Sequence, residues 1–311
     1  MALIFNFDQE GVVNSIRHLL IVGAVLVLPV AAAAQGSGGA GGLDTAKIEQ
    51  ALGRPGQKIG DVYKVGFPRT DLHVSVHGLA IKPGLALGSW AAFTGSDEHA
   101  MVMGDLVLLE DEVNPVMEKL RASGFEISAV HNHLLDETPH VMYMHYMGHG
   151  AASGLAASLR GALAVSKTPL EKPAAAPAEE AAPPSWVTTV EESLGRKGTL
   201  KGGVLSYGVP RADTVTMGGM IIVPAAGVAE AINFQAAEAG SVATTGDFVL
   251  TAEEVNPVIS ALEEHHIHVT ALHSHMLTEE PRLFFMHFWA VGPAQSVAEG
   301  IKAALAKVRT K

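Results

Sequence analysis

Apolar and polar residues alternate along Leu72–Ile81 and again along Phe125–His133. In the second stretch Phe125, Ile127, Ala129, His131 and His133 fall at every second position, a spacing that predicts a strand with these side chains on one face. Ile267, Val269, Ala271, His273 and His275 repeat the pattern later in the chain. Two runs, Val141–Met147 and Leu283–Trp289, are apolar on both faces and predict central strands. Trp90–Phe93 with Ile232–Phe234, and Gly104–Leu109 with Gly246–Leu250, predict further strands. Helical spacing appears instead at Thr45–Leu52, closed by Gly53, and at Val190–Leu194, closed by Gly195. It recurs through Val116, Met117 and Leu120, or Val258, Ile259 and Leu262, and through Leu155, Leu159 and Leu163, or Val297, Ile301 and Leu305. The middle helices start either at a capping box, Thr251 with Glu254, or at Asn256-Pro257 and Asn114-Pro115.

The two sets of elements are one set used twice. Histidines 131, 133 and 145 recur at 273, 275 and 287, an interval of 142, and Pro68-Arg69, Asp71, Glu137 and Pro139 recur with them. The expected fold is α+β: two homologous units, each a mostly antiparallel sheet backed by helices, related by a pseudo-two-fold axis. Residues 43–165 and 187–311 form the units, and the Ala/Pro/Glu-rich stretch 166–186 reads as a semi-stiff linker. The repeated Arg-x-Asp, Arg69 with Asp71 and Arg211 with Asp213, is most simply a solvated bridge at a turn. His73 and His77 have no histidine counterparts and belong to no shared site.

Composition narrows the function. A formal charge of −11 argues against a nucleic-acid partner, which needs a basic face. With no cysteine, disulfides, thiolate metal sites, a cysteine nucleophile and a lipid-modified cysteine are excluded, so any metal must use imidazole and oxygen. Arg17-His18, the apolar run Leu19–Val30 and Ala32-Ala33-Ala34 predict a cleaved signal over residues 1–34, with a retained anchor as the alternative, and an exported, periplasmic or secreted protein with no stable membrane span after processing. Asp8 and Glu10 are unusual in such a leader, and the mature chain stays acidic.

Histidines at i and i+2 of a strand project side by side, close enough for both to reach one ion, with His145 and Glu137 available to complete the set. Each half then offers one site: His131, His133 and His145 as metal ligands in the first, His273, His275 and His287 in the second. Glu137 and Glu279 are the candidate general bases. His145 shares the face only if opposed positions in the hairpin sum to an even number, as 131 with 145 would. Hydrogen-bonded structural histidines or a metal-free acid/base site are the alternatives. A divalent transition metal is the expected cofactor, zinc or iron ahead of copper despite nearby methionines. A cupin barrel is set aside because the glycine and second motif it needs are absent and helices interrupt the strands.

The run Phe67-Pro68-Arg69-Thr70-Asp71, Gly104-Asp105, Asn114-Pro115, His131-Asn132-His133, Glu137, Pro139 and His145, with its second copy ending Phe284-Phe285-Met286-His287-Phe288-Trp289, resembles the LppY/LpqO-like family of exported bacterial proteins. The resemblance implies an exported duplicated domain of unassigned activity. Ser274 departs from the His-Asn-His form. Two functions stay open: a metal-binding protein, with metal-dependent hydrolysis as its first candidate reaction, and a non-catalytic module that binds a small molecule or cell-envelope component.

Overall fold

The computed structural model describes residues 42–171 and 182–311; the expected leader and the middle of the expected linker lie outside them. The first repeat begins with α1 (Thr45–Leu52), β1 (Gln57–Ile59), β2 (Val62–Pro68), β3 (Ser75–Val76), β4 (Leu79–Ala80) and α2 (Pro83–Ala86). It continues through β5 (Gly88–Gly95), β6 (Ala100–Leu109), α3 (Glu110–Ala122), β7 (Glu126–His131), β8 (Glu137–Thr138), β9 (Val141–Gly150) and α4 (Ala152–Leu163). The second repeat opens with α5 (Ser185–Leu194), β10 (Thr199–Lys201), β11 (Val204–Pro210), β12 (Val215–Met217), β13 (Met220–Ile222) and β14 (Ala229–Ala236). It closes with β15 (Ser241–Leu250), α6 (Ala252–Glu264), β16 (His268–His273), β17 (Glu279–Glu280), β18 (Phe284–Pro293) and α7 (Ala294–Leu305).

Each repeat builds one antiparallel six-stranded sheet, ordered β1-β2-β5-β6-β9-β7 and β10-β11-β14-β15-β18-β16, and one three-stranded sheet, β4-β3-β8 and β13-β12-β17. Helices cover one face of each large sheet. Ile48, Leu52, Val116, Leu120, Leu155 and Leu159 from α1, α3 and α4 bury against Phe67, Phe93, Leu106, Met144 and Tyr146. The second repeat packs α5, α6 and α7 in the same way. The other faces meet each other: Val107 and Tyr143 pack with Val204, Ala243 and Trp289, while Met101 and Met103 pack with Val249 and Phe285. The result is four layers, helix, sheet, sheet, helix, in one unit that spans both repeats. No helix among the described residues is long and apolar enough to cross a membrane.

Several local expectations need correction. Leu72–Ile81 is not one strand but the tight hairpin of β3 and β4, so His73 and His77 lie near a turn, and His77 is exposed beside Asp136. The interval of 142 is not constant. Trp90 lies opposite Gly66 and Ala231 opposite Gly208, so β5 and β14 are offset by 141. The Arg-x-Asp bridge is solvated only at its acidic end: the arginines are buried, while Asp71 is exposed and Asp213 half-buried. Arg69 is fully enclosed and donates to Asp71, to Glu112 and to the carbonyl of Val107; Arg211 repeats the arrangement with Asp213, Glu254 and Val249. Glu112 and Glu254 also accept from the backbone N–H of Leu109 and Thr251, the residues preceding α3 and α6, so these helices start where a first-turn glutamate reaches back to the N-cap N–H rather than at Asn-Pro. A guanidinium therefore ties a turn to a helix start in each repeat.

Candidate metal centre

Each histidine strand changes face part-way along. In β7, Ile127 lies opposite Tyr146 of β9, but after a bulge at Ser128 the partners become Ala129 with His145 and His131 with Tyr143. A bulge adds one residue to one strand, which moves everything beyond it to the other face. Ile127 therefore packs toward the helices, whereas His131 and His145 point between the sheets. The alternation from Phe125 to His133 does not describe a single face. Thr270 makes the same bulge in β16, setting Ala271 opposite His287 and His273 opposite Phe285. The histidine-bearing register has even sums in both repeats, as the trio requires.

The six histidines form one contiguous cluster, because the inward faces of both sheets share a single interior, and the trio expected of each half is found within it. Ring pairs stack across the interface: His131 on His273 at 3.6 Å, His133 on His287 at 3.7 Å and His145 on His275 at 3.6 Å. A two-fold operation exchanges the last two pairs and maps the first onto itself, so the axis runs between His131 and His273. Two groups have ligand atoms within 4.8 Å of one another, His131 with His133 and His145, and His131 with His273, His275 and His287. His131 belongs to both.

Two carboxylates complete the cluster. Asp105 of β6 is the direct cross-strand partner of His145, and Asp247 of β15 that of His287. Oxygens of Asp105 lie 3.8 Å from His133 Nε2 and 3.7 Å from His145 Nε2; those of Asp247 lie 3.7 Å from His275 Nε2 and 3.8 Å from His287 Nδ1. Sequence reasoning missed both. The available signal was a carboxylate at the same repeated place, after glycine, in two apolar strands. That glycine admits close packing: a Cβ at Gly246 would stand 1.9 Å from the carbonyl oxygen of Ala231, and one at Gly104 2.1 Å from that of Trp90.

All six Nε2 atoms are buried without a hydrogen-bond partner, as is Oδ1 of each aspartate. At about 1–3 kcal/mol for each buried polar atom left unpaired, eight would cost on the order of 10 kcal/mol, comparable to the net stability of a domain. A cation held by these atoms would offset that cost. The protonation pattern suits one. Nδ1 of His131, His273 and His287 faces the carbonyls of Asn132 at 3.1 Å, Ser274 at 3.4 Å and Gly246 at 2.8 Å, so a proton assigned to Nδ1 leaves the Nε2 lone pair free. Burial, then the charge of His273, pushes His131 down to about 3, and burial pushes His273 down to about 4, so both rings are neutral near pH 7. Burial raises Asp105 to about 8, with Lys64 pulling it back, and raises Asp247 well above the carboxylate range.

Glu137 and Glu279 belong to neither ligand group. Glu137 accepts from the Val141 N–H and lies 2.7 Å from His140 Nδ1; Glu279 accepts from the Leu283 N–H and pairs with Arg282. Both brace the loop that ends in a cis Thr138-Pro139 or Glu280-Pro281 bond. Asn132, unmatched in the second repeat, donates to the carbonyls of Leu134 and Thr270, while Thr270 Oγ1 donates to the carbonyl of His133. These bonds pin one bulge to the opposite histidine loop.

A cavity of about 530 Å³ runs between the repeats to the cluster, lined by Asp105, His133, His145, Asp247, His275 and His287 at its polar end. Glu137 and Glu279 are not in its wall.

Two segments, 46–165 and 188–307, match the family described as Domain of Unknown Function (DUF1259). No curated protein matches. Two solved structures are aligned: a trimeric bacterial microcompartment shell protein, PduB, at 12% identity over 81% of this chain and 89% of that one, and EtuB from Clostridium kluyveri at 11% over 81% and 88%. Both have a TM-score of 0.19, too low for either fold or function to be drawn from them. The chain belongs to the DUF1259 family and carries its domain twice.

Proposed function

We propose that this duplicated member of the family is a metal-binding protein whose two repeats together build one transition-metal centre on the pseudo-two-fold axis. The observation that carries this is the burial of six unpaired imidazole Nε2 atoms in two ligand groups that share His131, with an unpaired aspartate oxygen beside each group. Imidazole and carboxylate donors suit zinc or non-haem iron. Copper is the weaker fit: Met101, Met103, Met217 and Met276 sit in the apolar cluster between the sheets, where thioethers pack well. A bound divalent ion supplies Lewis-acid activation of water or of a carbonyl, which makes hydrolysis the first reaction class to assay. The residues of the chain hold the lone pairs in place, exclude bulk water and leave a cavity for access. The leader-like residues 1–34 and the resemblance to the LppY/LpqO-like proteins support an exported location.

Elemental analysis of purified protein tests the reading. Near-stoichiometric zinc or iron is expected, with loss of that metal and of chelator-sensitive melting in His131→Ala. Metal-free protein whose melting does not move on adding zinc, iron or copper would overturn it in favour of a hydrogen-bonded histidine core.

A further inference from the structure

The cavity that reaches the cluster is not symmetric. Its charged lining consists of Lys64, Asp105 and Asp247. Lys64, on β2, lies over the Trp90 ring with Nζ 3.9 Å from the ring centre, and Nζ donates to the Ala225 carbonyl at 3.3 Å. It makes no ion pair among the described residues. At the related positions the second repeat has Ser206 and Ala231, so the ammonium and the indole stand at one end only. Most of the remaining wall is apolar or backbone, including Ile59, Leu85, Pro224 and Ala225.

On the metal reading above, Asp105 and Asp247 are spent on a cation, and the charge left facing the cavity is positive. We propose that this cavity is the binding site for a small organic anion: its carboxylate sits against the Lys64 ammonium, its apolar body lies along Trp90 and Pro224, and its inner end reaches the histidine cluster. The class follows from the wall. A cationic ligand would meet Lys64, and a neutral one would leave the half-buried ammonium with a single carbonyl partner. The absence of the pair from the second repeat gives one binding orientation in a nearly two-fold site.

Calorimetric titration of the full chain with benzoate, benzamide and benzylamine tests this, with metal content measured on the same samples. Benzoate is expected to bind saturably, and benzamide and benzylamine about ten-fold or more weakly, the range a charged hydrogen bond supplies. Lys64→Met should erase the preference for benzoate and Lys64→Arg should keep it, both with unchanged metal content and melting. Equal binding of benzoate and benzamide, no saturable benzoate binding, or a preference that survives Lys64→Met would overturn the proposal. Loss of metal is scored separately: a preparation that never holds zinc or iron yet prefers benzoate through Lys64 defeats the metal reading and leaves the anion site standing.

Discussion

The two repeats agree at the centre and diverge around it. His131, His133, His145 and Asp105 have exact counterparts in His273, His275, His287 and Asp247, and Arg69 with Glu112 is matched by Arg211 with Glu254. One step outward the match fails. Lys64 is replaced by Ser206, Ser89 by Glu230, and Asn132 by Ser274. Groups that must meet at the axis are held in common, while groups that touch only one side have separated. The comparison makes each pair of equivalent substitutions an experiment on symmetry.

The largest effect is expected at the axis. His131→Ala should lower metal affinity beyond the ~10–100-fold that loss of a supporting residue costs, and His273→Ala should cost less, because His131 belongs to both ligand groups and His273 to one. Equal losses, read by metal content after dialysis, would contradict that difference. Next come the buried guanidinium networks. Arg69→Met and Arg211→Met should each destabilise by about 3–5 kcal/mol, since either leaves a buried carboxylate unpaired. Urea unfolding of the two variants checks whether the halves depend on them equally.

Glu230 distinguishes the repeats by pH. Burial is the main cause of its rise from 4.5 to about 8, opposed by the Val249 N–H and Arg211 and assisted by Glu254. Between those values the folded protein keeps a proton that the unfolded chain has released, so this group's contribution to stability falls as pH rises, by about 1.4 kcal/mol per unit, and is flat below the window. Glu230→Gln should remove that slope. Unfolding free energies that track wild type at every pH would contradict it. The smallest effect separates Asn132 from Ser274. Asn132→Ala should cost about 1 kcal/mol, because the Leu134 and Thr270 carbonyls each lose a donor, whereas Ser274→Ala, which removes an acceptor of the exposed Arg282, should be close to neutral. Thermal melts of both variants decide it.

The duplication, the antiparallel sheets and the three histidines of each half were legible from sequence because period and spacing are written in residue order. The bulges at Ser128 and Thr270 were not: an added strand residue leaves no mark in composition, yet it decides that Ile127 and His131 face opposite ways. Asp105 and Asp247 escaped because a lone acid in an apolar strand gains meaning only when register sets it against His145 or His287. That the two expected trios meet and share His131 depends on how the sheets pack, which no local pattern encodes. Arg69 was misread for the same reason: its partner Glu112 is forty-three residues away.

Placing the axis between His131 and His273 also bears on how such a molecule could arise. A chain with a single repeat would present three imidazoles on an unprotected sheet, and it would regain the full set only by pairing with an identical chain through a true two-fold contact. Fusing two copies turns that encounter into an intramolecular event at high effective concentration, and it frees each copy to change wherever the other does not need it.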